Sequence, residues 1–433
     1  MKVLLIDIPL DDVNNGFAVV HKEIMFPSLG LYYLKEYAQN QLAEIEIKVL
    51  NLSNLKFSAA VDKVCAENPT VICVTVYTDR RKLAFDFINA IKIRKPEVIA
   101  IVGGPHATAL PRQILEHYSF IDYIVVGEGE ITFAELLNSL KTGCCAVQEI
   151  NGLAFRKDGK VIITQPRALV MNLDELGYPR FENACALPAD MIKFTHYDGR
   201  FEFHGRKISE LKTMSVITSR GCPFQCVYCS TTAFWGRKVR YCSFANVVEE
   251  IEYLRSKHNI EFINFVDDVF TIDKSRCIEI CNLLISKKLG ICWICETNVK
   301  TIDNEMLALM KKAGCFAINY GVESGAPAVL KNIKKNITES EIVNAIKLAR
   351  KNDIIPDIFL MVGNPGENSS TITETLKILR KSRPSSGGWG ILTVFPATEL
   401  YYNCVKTGYI NDEYWLTDYS SPFYIKEHSY LQL

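Results

Sequence analysis

Three cysteines, Cys222, Cys226 and Cys229, stand at gaps of three and two residues in the stretch Ser219-Arg220-Gly221-Cys222-Pro223-Phe224-Gln225-Cys226-Val227-Tyr228-Cys229-Ser230. Soft thiolates suit iron, and a four-iron, four-sulfur (4Fe-4S) cubane usually takes four of them. Three in one loop hold three irons and leave the fourth an open coordination position, where a substrate or cosubstrate can bind. The other common occupant of close cysteines, structural zinc, usually comes with a second pair or a nearby histidine. Neither follows here, since the next cysteine, Cys242, lies beyond an aromatic and basic stretch. An open iron site means chemistry rather than storage.

The run CPFQCVYC resembles the CxxxCxxC signature of the radical S-adenosylmethionine superfamily, with Tyr228 as the aromatic before the last cysteine. The resemblance implies that the unique iron chelates the amino and carboxylate groups of S-adenosylmethionine. One-electron reduction, from a donor such as flavodoxin or ferredoxin, then releases a 5′-deoxyadenosyl radical, and Tyr228 packs near the adenine. INFVDDVFT, AGCFAINYGVESG and FLMVGNPGE look like later strand motifs of the subgroup that carries a cobalamin domain, and the likeness runs over roughly residues 25 to 400. On it, Glu323 and Asp268 are carried over as contacts to S-adenosylmethionine. Asn298 stands where the subgroup often has arginine, and Asn364-Pro365-Gly366-Glu367 departs from the usual glycine-proline-glycine run.

The elements that must position these residues are legible as alternation. Residues 1–142 interleave Val- and Ile-rich runs (KVLLIDIP, EIKVLNLSN, VICVTVYT, VIAIVGG, IDYIVVG) with amphipathic stretches. Near-continuous apolar strands are those of a parallel sheet buried on both faces, so this part is expected to be α/β, a flavodoxin-like doubly wound sheet. In such sheets ligands sit beyond the carboxyl ends of the strands, where Gly103-Gly104 and Gly127-Glu128-Gly129 fall. VGGPHATALP, VVGEGE and PSLGLYYL resemble the cobalamin-binding domain of the same subgroup, which makes Gly103, Gly104, His106, Gly127, Glu128 and Gly129 the candidate cobalamin contacts. The DxHxxG motif of histidine-on cobalamin proteins is absent, so His106 is expected beside the corrin, or as a structural histidine, and not on cobalt.

Residues 143–212 read as a connector with a hairpin at Asp158-Gly159, and MNLDELGYPRFENACALPADM within it has no clear period. Residues 213–396 alternate six strands with helices, the pattern of a partial (β/α)6 barrel whose polar candidates gather at strand carboxyl ends. Residues 397–433 form an aromatic tail, with Tyr401, Tyr402, Trp415 and Tyr424, expected over the barrel mouth or at a domain interface. Cys277/Cys281 and Cys292/Cys295 are expected to be packing residues.

Forty-nine basic and 49 acidic residues cancel, which argues against bulk attraction to nucleic acid or an anionic membrane. Fifteen scattered cysteines in 433 residues read as reduced thiols rather than a secreted framework. There is no secretory leader pattern and no apolar run of about 18 residues. A cytoplasmic enzyme acting on a small-molecule or peptide substrate fits.

The expectation is a cobalamin-dependent radical S-adenosylmethionine methyltransferase working on an unactivated carbon. The resemblance implies that the radical removes a hydrogen atom and methylcobalamin supplies the methyl group. The alternatives are a cyclase or ring-rearranging enzyme on the same scaffold, or a cobalamin-independent radical enzyme. A methylthiotransferase is disfavoured, because the N-terminal part offers only Cys65 and Cys73 before Cys144-Cys145.

Overall fold

A computed structural model describes residues 1–9, 28–143, 146–181, 201–203 and 205–416. Cys144-Cys145, the end of the unpatterned connector stretch and Tyr424 lie outside the described residues. The chain divides into two compact units. The first holds the described residues up to 181 together with 233–235 and 411–416, and the second holds 201–232 and 236–410.

In the first unit β1 (Lys2–Asp7), β2 (Glu46–Asn51), β3 (Val71–Thr75), β4 (Ile99–Gly103) and β5 (Tyr123–Val125) pair in parallel in the order β2-β1-β3-β4-β5. Between them run α1 (Leu29–Gln41), α2 (Phe57–Ala66), α3 (Arg81–Arg94), α4 (Pro105–Ala109) and α5 (Pro111–His117), and α6 (Glu130–Thr142) follows β5. The apolar runs make the strands for the expected reason: Val3, Leu4 and Leu5 of the central β1 have no exposed surface. The hairpin of β6 (Leu153–Lys157) and β7 (Lys160–Ile163) is more than a link, because β6 pairs antiparallel with β5 and lengthens the sheet to seven strands. Asp158 and Gly159 both have positive φ, 51° and 74°, which a two-residue hairpin turn of this kind requires.

The second unit opens with a small hairpin, β8 (Glu202–Phe203) and β9 (Arg206–Lys207). Its main sheet has six parallel strands in chain order: β10 (Thr213–Val216), β13 (Phe262–Phe265), β14 (Cys292–Thr297), β15 (Cys315–Glu323), β16 (Ile355–Val362) and β17 (Ser386–Ile391). The row is open, with β10 and β17 at its edges, as a partial barrel demands. Between β10 and β13 lie β11 (Ser219–Arg220), α7 (Thr231–Trp235), β12 (Arg240–Tyr241) and α8 (Phe244–His258). The remaining helices are α9 (Lys274–Ser286), α10 (Asn304–Lys312), α11 (Pro327–Asn332), α12 (Glu339–Lys351), α13 (Ser369–Ser382) and α14 (Glu399–Lys406).

Side-chain caps fix where these helices begin. Ser243, Asp273, Asp303, Thr338, Asn368 and Thr398 each accept a hydrogen bond from a backbone N–H of the following first turn, satisfying donors that a helix start otherwise leaves unpaired. Cys277, Cys281, Cys292 and Cys295 are fully buried in the barrel wall, the packing role expected of them. Among the described residues no helix is long and apolar enough to cross a membrane.

Candidate active site

The cysteine loop is held from several sides. At its stem Asp267, following β13, is almost fully buried and accepts from the Thr218 N–H at 3.2 Å, the Thr218 hydroxyl at 2.9 Å and the Ser219 hydroxyl. Next to it Asp268 accepts from the Thr231 hydroxyl at 2.9 Å and from the Gly221 N–H, so one carboxylate bridges the two ends of the loop. In mid-loop the Val227 N–H donates to Ile333 O at 3.1 Å, while Val227 O accepts from the Leu400 N–H at 2.9 Å. Gly221 takes φ +100°, and a Cβ there would stand 2.5 Å from Lys238 O; only glycine lets the two backbone runs approach so closely.

Cys222, Cys226 and Cys229 come together within electrostatic reach of one another. Burial pushes the Cys222 thiol up to about 11, with Asp268 and the other two cysteines adding to the rise. Cys242 lies elsewhere: its sulfur faces Ile217 O, Glu250 and Asp267, so it does not complete the trio. Among the described residues no three His, Cys, Asp or Glu side chains converge on a point that a single metal ion could take. A cubane is a larger body, whose cysteine-bound irons stand apart at its corners, and three thiols spread round one loop suit it better than they suit a zinc ion.

Beside the trio sits an ion pair. Lys335 Nζ is 3.1 Å from Glu323 Oε1, with side chains only 10% and 13% exposed. Burial opposes the charge on Lys335, but Glu323 and the neighbouring Cys226 outweigh it, and its pKa is raised. The Tyr228 hydroxyl bonds Glu323, and its own proton is held far above the ordinary range by burial and then by that carboxylate. Glu323 itself has φ +65° at a break in the ladder between β15 and β16, which turns its side chain out of the regular strand alternation. Sequence reasoning named Glu323 and Tyr228 and missed Lys335; the adjacent Lys334 pairs instead with the exposed Glu399, and nothing local distinguishes the two lysines.

At the carboxyl ends of the first sheet the six candidates separate. Gly127 is open, with nothing within 4 Å of a Cβ built on it and its N–H bonded to the Thr108 hydroxyl at 3.0 Å. Gly103 ends β4, where a Cβ would meet only Val125 at ordinary contact distance. Gly104 and Gly129 are glycines for internal reasons, since a Cβ would press on Thr75 at 2.7 Å and Leu34 at 3.1 Å respectively. Glu128 is turned inward to the Val170 N–H at 3.0 Å. His106 is 1% exposed, lies 3.2 Å from the Thr78 hydroxyl and packs against Phe85 and Trp415. Burial, and then Arg81, lowers its pKa to about 3. A corrinoid fits this side-chain-poor rim, but not through His106 as a cobalt ligand.

Residues 216–379 match the radical SAM superfamily and residues 19–137 match the B12 binding domain. An uncharacterized methyltransferase of Pyrococcus horikoshii is 31% identical over 377 residues, covering 87% of this chain and 78% of that protein. The anaerobic magnesium-protoporphyrin IX monomethyl ester cyclase of Rubrivivax gelatinosus is 29% identical, covering 78% of this chain but only 59% of its own length. Among solved structures, the radical S-adenosylmethionine methyltransferase TsrM of Kitasatospora setae superposes with a TM-score of 0.73 at 18% identity, over 94% of this chain and 76% of that one. The cobalamin-dependent enzyme OxsB gives 0.70 at 21%, over 96% and 56%. The chain therefore belongs to the radical S-adenosylmethionine superfamily, among the members that carry a B12-binding domain, with a 4Fe-4S cluster, S-adenosylmethionine and cobalamin as its cofactors.

Proposed function

We propose that this chain is a cobalamin-dependent radical S-adenosylmethionine methyltransferase that acts on an unactivated carbon of a small-molecule or peptide substrate, in the cytoplasm, with a one-electron carrier such as flavodoxin or ferredoxin as its reductant. The observation that carries this reading is the three-cysteine loop with the Glu323–Lys335 pair beside it, on a chain that also has a B12-binding domain. Its nearer relatives include proteins named as methyltransferases. Two cofactors serve the chemistry: when bound, the cluster and S-adenosylmethionine supply a hydrogen-abstracting radical and the corrinoid supplies a methyl group, because an unactivated carbon has no lone pair to attack a sulfonium.

In this reading Cys222, Cys226 and Cys229 hold the cluster. Lys335 would offer its ammonium to the carboxylate of S-adenosylmethionine, and Glu323, oriented by Tyr228, would hold its amino group. Asp268 reaches the same ligand only with the oxygen it does not give to Thr231. Gly103 and Gly127 form the open floor for the corrinoid, while His106 and Glu128 support that floor from inside. A ring-forming reaction is the second reading, favoured by the cyclase relatives at 27–29% identity.

Anaerobically purified, reconstituted protein should carry iron and sulfide, retain a corrinoid after supply of hydroxocobalamin, and release 5′-deoxyadenosine when given S-adenosylmethionine and dithionite. Cys226→Ala should lose the iron and the deoxyadenosine together. Iron retained without corrinoid overturns the methyltransferase reading, and neither cofactor retained overturns the enzyme reading.

A further inference from the structure

Between Cys222 and Cys226 the loop opens to the surface. Pro223 and Gln225 are exposed and Phe224 is half-buried, and with Leu330, Lys331 and Lys334 they line a groove of about 660 Å³. One lining segment is therefore covalently joined to two of the three cysteines. The other is α11 with the turn after it, where two adjacent lysines part. Lys335 turns in to Glu323 with 10% of its side chain exposed, while Lys334 stays out, 49% exposed and 2.6 Å from Glu399. At its first turn the loop also meets residues 236–238, since the Cys222 N–H donates to Gly236 O and Gly221 lies against Lys238 O.

The charge of this surface is one-sided. Residues 221–240 and 327–338 hold Arg237, Lys238, Arg240, Lys331, Lys334 and Lys335 and not one Asp or Glu, in a chain whose 49 basic and 49 acidic residues cancel. Arg240 and Lys335 are turned inward; the other four are exposed. Two carboxylates reach the rim and both are taken, Glu399 by Lys334 and Glu339 by Lys381 at 2.7 Å. Among the described residues Arg237, Lys238 and Lys331 have no carboxylate partner, which leaves the surface around the exposed turn positive. Tyr402, 61% exposed and one turn along α14 from Glu399, adds an aromatic side chain of the kind favoured where proteins meet. From Gly221 to Gln225 the chain spans at most about 18 Å, so one protein footprint of ordinary size, about 800 Å², covers the groove and residues 236–238 together.

We infer that this cationic groove is where the reductant docks, and that the partner is a small acidic one-electron carrier protein whose negative face covers Lys331 and Arg237. The inference rests on the radical-enzyme reading above and adds the place and the charge of its electron donor. Electron transfer between proteins falls off steeply with distance, and Pro223 to Gln225 is the most exposed part of the cysteine loop. Elsewhere the trio is lined by the buried Glu323–Lys335 pair and Tyr228, which leaves the outer turn for a partner. On docking, the carrier's reduced centre gives up one electron to the cluster; no bond is made or broken and no proton moves. Matched charge speeds such encounters and makes them sensitive to salt.

Reduced flavodoxin, an acidic flavin protein, is the probe, given to the anaerobic, reconstituted full chain with S-adenosylmethionine, and deoxyadenosine is the readout. The rate should saturate with flavodoxin, and the concentration for half-maximal rate should rise several-fold between about 50 and about 200 mM salt. Lys331→Glu with Arg237→Glu should raise it about tenfold, while the dithionite-driven rate and the iron content stay close to wild type. Lys257→Glu with Lys351→Glu makes the same change in net charge at the other end of the barrel, where α8 and α12 finish before β13 and β16 begin, and should leave it nearly unchanged. Equal effects of the two double variants overturn the proposal, as does a wild-type protein that ignores salt. So does sedimentation that shows the chain pairing with itself until Lys331→Glu separates it, since a second copy then holds the groove. If the groove double variant loses its iron, Lys331→Glu alone decides, with a rise of about threefold expected. Failure of the radical reading is seen separately, in wild-type protein that releases no deoxyadenosine with S-adenosylmethionine and dithionite; calorimetric titration with oxidised flavodoxin then still reads the docking in the same variants.

Discussion

Lys335 keeps its charge at one-tenth exposure because Glu323 lies 3.1 Å away, and the pair is better judged by what its loss would cost than by its attraction. Removing one partner leaves the other buried and uncompensated, a cost of about 3–5 kcal/mol, whereas replacing both can be nearly neutral. Lys335→Met should therefore lower stability by that order and weaken S-adenosylmethionine binding, and Glu323→Gln with Lys335→Met should recover much of the stability but not the binding. A double-mutant cycle by denaturant unfolding, with equilibrium binding of S-adenosylmethionine, checks both; full additivity would show the pair to be uncoupled. The three-cysteine loop was readable because thiol spacing is local. Lys335 was not, since its burial follows from the turn after α11 and the approach of β15.

At the scale of the element, the cysteine loop depends on one backbone conformation. Gly221 at φ +100° with Lys238 O 2.5 Å from its missing Cβ gives a sharp expectation. Gly221→Ala adds about 1–2 kcal/mol of left-handed strain to a collision with backbone, so reconstituted protein should fall well short of full iron content while circular dichroism stays close to wild type. Gly159→Ala is the control, with φ +74° and no atom within 4 Å of the new methyl, and should load iron normally. Full loading of Gly221→Ala would show that the loop tolerates another path. Strands and helices of both units followed from apolar alternation. The bulge that turns Glu323, and the joining of the β6–β7 hairpin to β5, depend on partner strands and left no mark in the local pattern.

On the scale of the molecule, the described end of the chain returns to the first unit. Trp415 is 1% exposed, its carbonyl accepts from Arg81 Nε at 2.9 Å, the Arg81 guanidinium lies 5.1 Å from its ring, and His106 stands 5.9 Å away. The aromatic tail was expected over the barrel mouth or at an interface; of its described residues, 397–410 belong to the second unit, where Tyr401 is buried and the Leu400 N–H donates to Val227 O of the cysteine loop, and Trp415 is a core residue of the B12-binding unit. Trp415→Ala should remove about 3–5 kcal/mol from that unit, seen in calorimetry as an earlier first transition, since a chain with two cores need not unfold in one step. An unshifted first transition would mean that the segment adds no stability.

Spacing was enough for the three-cysteine loop and the two α/β units, because each is written in short stretches, thiols a few residues apart and apolar residues at the period of a strand or helix, while the family was implied by the resemblance of such stretches to its motifs. Which polar residues meet inside the barrel was beyond that reach. Glu296, Asn319, Asp357 and Ser386 sit on four separate strands, and each alone reads as an ordinary polar residue in its own segment. Parallel pairing brings them into line through register, and register is set by long crossovers and the fit of whole apolar faces, interactions that exist only once the strands are side by side.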